Sequence, residues 1–160
     1  MIAWGVLQIL VDQCVNKGLI IEQSGSPDGN IHFSDWREAV FGGRAACYVP
    51  FERRMYLNWL GLQDYWPYQG QVHELGHAVW FLLLQPVERW NIYYRAWAKD
   101  KAEGRGLGDY WAASVEEGWA EDFEAFWRRE MRPRLYQTER LPALVRFMRL
   151  RAVPTDEFYA

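Results

Sequence analysis

The run Gln71-Val72-His73-Glu74-Leu75-Gly76-His77-Ala78-Val79-Trp80-Phe81-Leu82-Leu83-Leu84 decides how the rest of the chain is read. Its apolar residues predict a helix over Gln71 to Leu84, with Ala78, Val79, Phe81 and Leu82 supplying surface to bury. His73 and His77 stand four apart, so that helix carries both imidazoles on one face, one turn apart and within reach of a single ion. Glu74 lies beside the first of them, where a carboxylate can take a proton from water held by the ion. Gly76 leaves little bulk next to the second. The chain has only three histidines and two of them are here, which argues against coincidence.

A catalytic metal centre needs a third protein ligand and leaves a fourth position open. His32 lies upstream in a predicted strand or turn and reads as an ordinary surface or half-buried histidine. The better source is the acidic helix predicted from Ser114 to Met131, which carries Glu116, Glu117 and Glu121. Glu117 and Glu121 again stand four apart, so one can bind metal while the other accepts a hydrogen bond from a ligating imidazole. Ser114 and Glu117 also form an S-x-x-E capping box, a helix-start signature that needs no metal. Ligand and cap are both open readings of Glu117.

With these motifs in hand, the chain resembles the gluzincin side of the zincin peptidases, and more closely the anthrax lethal factor catalytic-domain-like group that includes the secreted Pro-Pro endopeptidases. His73 to Ala78 matches the active-site helix, and Glu117-Gly118-Trp119-Ala120-Glu121-Asp122-Phe123 is similar to the glutamate helix. Tyr110 stands seven residues before Glu117, the offset of the group's catalytic tyrosine, although as one of nine tyrosines it is equally readable as a packing ring. The Glu116-Glu117 doublet is similar to the Pro-Pro endopeptidases. The resemblance implies one Zn²⁺ per chain on His73, His77 and Glu117, with Glu74 as general base, Tyr110 as hydrogen-bond donor to the oxyanion and Glu121 orienting an imidazole. It implies a secreted zinc metalloendopeptidase, with a preference for proline-containing sites. Three other readings stay open: a zincin-fold binding module without activity, a zinc hydrolase with a non-peptide substrate, and a helical interaction protein with incidental histidines.

Outward from these helices the pattern is that of one domain spanning residues 1–160. Ala3 to Val15 predicts a helix closed by Asn16-Lys17-Gly18, Leu19 to Glu22 a short strand, and Ile31 to Phe33 a second one. Arg44 to Val49 and Met55 to Asn58 suit a hairpin, and further helices are predicted over Val87 to Ala98 and Leu141 to Arg151. A small sheet followed by helices makes the class α+β; the resemblance refines it to a zincin-like fold, with the hairpin packed on the histidine helix and the glutamate helix in a mainly helical C-terminal half. The hairpin region offers a strand edge for an extended peptide. Trp36, Trp59, Tyr65 and Trp66 are candidate rings for such a cleft, and Glu116 a candidate polar group.

The resemblance implies a peptide or protein as partner, and composition argues against nucleic acid. A net charge of −3 with mixed signs offers no basic surface for nucleic acid. Met1 to Val11 is apolar but has no basic leader and is cut short by Asp12, so it reads as the first helix, not a signal peptide or membrane span. The chain is expected to work as a monomer. Two cysteines, Cys14 and Cys47, leave a single bridge or two buried thiols open.

Overall fold

The computed structural model describes residues 4–24, 26–58 and 69–155. Helix α1 (Trp4–Asn16) buries Leu7, Leu10, Val11 and Cys14, the one-face spacing of an amphipathic helix. It ends where Gly18 takes a positive φ of 99° and Leu19 N–H reaches back to the Cys14 carbonyl, a turn that a side chain at Gly18 would strain. The chain then enters β1 (Ile20–Ser24) and later the short helix α2 (Arg37–Phe41). Strands β2 (Ala46–Val49) and β3 (Arg54–Asn58) form the expected antiparallel hairpin, joined through a 3₁₀ turn at Pro50–Glu52. The sheet order is β1-β3-β2, with β1 parallel to β3 and β2 at the edge.

Alternation along β2 serves two cores. Ala46 and Tyr48 join the main core, while Cys47 and Val49 pack with Ile31, Phe33, Phe41 and Tyr56 in a smaller one on the other face. Both cysteines are buried free thiols. The second strand expected at Ile31 to Phe33 is reduced to one bridge between Ile31 and Arg44. There the polypeptide turns away toward α2, and Glu38 takes the Phe33 N–H at 2.6 Å in place of a strand partner.

The histidine helix is α3 (Gln69–Leu82), followed by a π-helical segment, Val87–Tyr93, and α4 (Tyr94–Ala102). The sequence predicts one α-helix over Val87 to Ala98; the wider i to i+5 span of its first half is not encoded in apolar spacing. Helices α5 (Asp109–Ala113), α6 (Val115–Trp127) and α7 (Arg140–Leu150) complete the fold. Helix α6 stops at Trp127, short of the predicted Met131, because Arg128 adopts extended backbone before a turn at Arg132–Leu135 that contains Pro133. Among the described residues no helix is long and apolar enough to cross a membrane. The architecture is thus α+β, a small sheet with a mostly helical remainder.

Helices α3 and α6 are the central pair. Trp119, Phe123, Phe126 and Trp127 of α6 and Trp80 of α3 are all almost fully buried, and Trp119 meets Tyr93 edge-on with ring centroids 5.1 Å apart. The helices approach closely at Gly76, where an added Cβ would stand 3.1 Å from Ala120 Cα and 3.2 Å from Phe123 Cβ. Trp119 Nε1 donates to the Gly76 carbonyl at 3.0 Å across the same contact.

His32, the histidine outside the pair, ties the turn before α2 to that helix. Its Nδ1 lies 2.9 Å from Glu38 and its Nε2 2.5 Å from Asp28. The hydrogen bonds to Glu38 and then Asp28 raise its pKa above the ordinary value of about 6.5. A raised folded pKa means that the stabilisation is complete below about pH 6.5 and fades as pH climbs through the folded value. In an NMR titration His32 should therefore titrate above 6.5, and Glu38→Gln should bring it down; an unmoved curve would refute the pairing.

Candidate metal centre

The site forms where α3 faces the first turns of α6. Ser114 caps α6, its hydroxyl accepting the Glu117 N–H at 3.2 Å. The capping box is therefore real on the backbone side, and the Glu117 side chain remains free to point at α3. There both imidazoles converge on one oxygen: Glu117 Oε2 lies 3.1 Å from His73 Nε2 and 3.3 Å from His77 Nε2. One ligand atom from each of the three residues falls within 4.8 Å of the others. This buried to half-buried group can hold a metal ion.

Electrostatics agree with that geometry. Burial acts to lower the His73 pKa, but the hydrogen bond to Glu117, the contact with Glu124 and the charges of Glu74 and Glu117 carry it to about 10. Burial acts to raise Glu117, yet the two imidazoles hold it well below the usual carboxylate range. Without metal, His73 is thus an imidazolium paired to a carboxylate, and an ion would take the place of that proton.

The other nitrogen of His73 faces two acids on the same helix. Nδ1 lies 3.8 Å from Glu121 and 3.6 Å from Glu124, both beyond direct hydrogen-bond range. Glu121 is where the motif predicts it. Glu124 was missed, although Glu117, Glu121 and Glu124 at i, i+4 and i+7 share a helix face; it is anchored by Arg128 Nη1 at 3.0 Å.

Glu74 is oriented by a group that no motif announces. Strand groups alternate in direction, so the Tyr48 N–H points away from β3 at the sheet edge and donates to Glu74 Oε2 at 2.9 Å. Burial pushes the Glu74 carboxyl up, and the nearby histidines only partly offset that. Tyr110 and Trp111 are neighbours on α5 and so face different ways: Trp111 enters the core, while the half-exposed Tyr110 ring stands 5.9 Å from the His73 ring. Burial, then the charge of Glu117, raise the Tyr110 phenol to about 12, so it keeps its proton at neutral pH.

Glu74, His77, Glu116 and Glu117 line a cavity of about 340 Å³, while His73 and Tyr110 stand behind its wall. Glu116 is therefore in the cleft as predicted. Trp36 is not in its wall; it is exposed and stacks on Phe51 with centroids 5.6 Å apart, because the 3₁₀ turn before β3 holds Phe51 beside it. Trp59, Tyr65 and Trp66 lie outside the described residues. Comparison with protein-family models, with curated proteins and with solved structures found no match for this chain.

Proposed function

We propose that this chain is a zinc-dependent endopeptidase. The observation that carries the reading is the convergence of His73 and His77 on Oε2 of Glu117, a residue that lines the same cavity as a separately anchored, buried Glu74. Two imidazoles and one carboxylate suit zinc, and three protein ligands leave the open position of a catalytic centre. When bound, zinc supplies a Lewis acid that acidifies a water and polarises a carbonyl.

The chain's own groups divide the remaining work. Glu74, raised by burial, takes a proton from the attacking water and returns it to the leaving amine. Tyr110, protonated at neutral pH, donates a hydrogen bond to the oxyanion that develops on the peptide carbonyl. Glu121 and Glu124 place negative charge on the Nδ1 side of His73, 3.8 and 3.6 Å away, which favours a proton on that nitrogen and leaves Nε2 for the ion. The edge of β2 lies beside the site, and an extended peptide can run along it. Proline preference follows only from the motif resemblance.

The purified protein should contain one zinc per chain and cleave members of a random peptide library, with cleavage abolished by chelation. Glu117→Ala should weaken zinc binding by more than about 100-fold, since even outer contacts to a metal site are worth roughly 10–100-fold. A protein without zinc would sink the metal site. A zinc-loaded protein that cleaves no library peptide would sink the peptidase reading and leave a different hydrolysed bond.

A further inference from the structure

The cavity beside Glu74 and His77 is walled on its far side by Val40, Phe41, Pro50 and Phe81, and one basic side chain stands among them, Arg44. Its position is fixed by the backbone. Arg44 immediately precedes the β2 edge, its carbonyl accepts the Ile31 N–H at 2.6 Å, and Gly43 N–H bonds Ile31 in return. Its side chain is exposed, and among the described residues no carboxylate lies within ion-pair distance of the guanidinium.

Three arginines on neighbouring elements are committed. Arg37 is held by Asp35 and Glu52, Arg54 by Glu22, and Arg128 by Glu124 and Glu130. Arg44 is also not the leading charge partner of either cleft acid, since Glu74 and Glu117 take theirs from the two histidines. Its field nevertheless reaches into the cleft: burial raises Cys47 and Tyr110 to about 12, and the Arg44 charge is among the influences opposing that rise in each.

Resting on the peptidase reading, we infer that Arg44 selects the substrate: the cleft takes a peptide with an apolar side chain on the Val40, Phe41 and Phe81 wall and a carboxylate on the Arg44 guanidinium. A guanidinium matches a carboxylate with two parallel hydrogen bonds, and the exposed Arg44 head is open to receive one. The carboxylate is an acidic side chain or the free C-terminus of the peptide; the chemistry is shared. Glu116 lines the same cavity without pairing to Arg44, so it repels a carboxylate elsewhere in the cleft and confines the preference to one position.

A random peptide library, prepared with free and with amidated C-termini, separates these points. It is offered to the zinc-loaded wild-type protein for cleavage and to the Glu74→Gln protein for binding. Peptides with a carboxylate at one position should be favoured over their amide counterparts by about two- to fivefold, the worth of an ion pair on an exposed arginine. Arg44→Ala should erase that ratio, and Arg44→Glu should replace the acidic preference by a basic one. Loss of the preference on amidation assigns it to the terminus, and its survival to a side chain. Selected pools with no acidic enrichment, or an Arg44→Glu protein that keeps one, would overturn the inference. Cleavage without acidic preference would remove this inference and leave the peptidase reading standing; acidic enrichment on Glu74→Gln with no wild-type cleavage would do the reverse.

Discussion

Replacing Glu74 by glutamine is expected to cut peptide turnover by about 10²–10⁴-fold, the usual worth of a positioned general base, while zinc and fold are retained. The side chain is only 8% exposed, and its burial raises the carboxyl toward the range where a base works near neutral pH. Glutamine keeps the length and still offers an oxygen to the Tyr48 N–H, which donates to Oε2 in the native protein. What it lacks is a site for the proton. Steady-state kinetics on any cleaved peptide, alongside zinc content and a thermal melt, give the answer. Turnover within a few-fold of wild type would assign the proton transfer elsewhere.

The largest stability effect is expected from Arg140, which lies far from the chemistry. Its guanidinium is completely buried; it donates from Nε to Asp122 at 2.7 Å and from Nη1 to Asp100 at 2.9 Å and to the Arg105 carbonyl at 2.9 Å. Tyr93 donates to the same Asp122 oxygen at 2.5 Å, so α4, α6 and α7 meet at one charged knot. Asp122 shows how finely it is balanced: burial pushes its carboxyl up, and Arg140 only partly counters that. Arg140→Met fills similar space but leaves buried Asp122 with the Tyr93 hydroxyl and no cation, while Asp100 keeps Arg105 and the Glu139 N–H; removing one partner of a buried pair costs about 3–5 kcal/mol. Urea unfolding of the two proteins measures it, and a difference below about 1 kcal/mol would mean that the knot contributes little. Because Asp122 follows Glu121 on α6, a loosened knot also relaxes the helix that carries the glutamates.

Local periodicity explains which parts of this molecule were legible in advance. His73, Glu74 and His77 could be read because their geometry is internal to one helix. Glu117 could be read as a candidate, but its choice over Glu121 depends on how α6 lies against α3, which is tertiary. The hairpin was readable from its turn; the parallel pairing of β1 with β3 was not, because α2 and β2 intervene between Ser24 and Arg54 and nothing local in sequence ties the two strands together. The Tyr48 N–H on Glu74 has no side-chain signature at all, since any residue at that edge position offers the same donor. Arg44 is equally silent in sequence: an arginine becomes notable only when its neighbours leave it unpaired. Trp36 shows the opposite failure, a conspicuous ring whose position was decided by a stacking partner fifteen residues away, Phe51.

The close approach at Gly76 has a consequence for how such a centre can be tuned. The bite between the two histidines and Glu117 is a gauge set by the thickness of the material between α3 and α6, and that material is Gly76, Ala120 and Phe123. None of these is among the three residues that could hold an ion. Metal preference can therefore drift, or be engineered, through residues that would never be scored as ligands, much as the gap of a spark plug is adjusted at its shim and not at its electrodes.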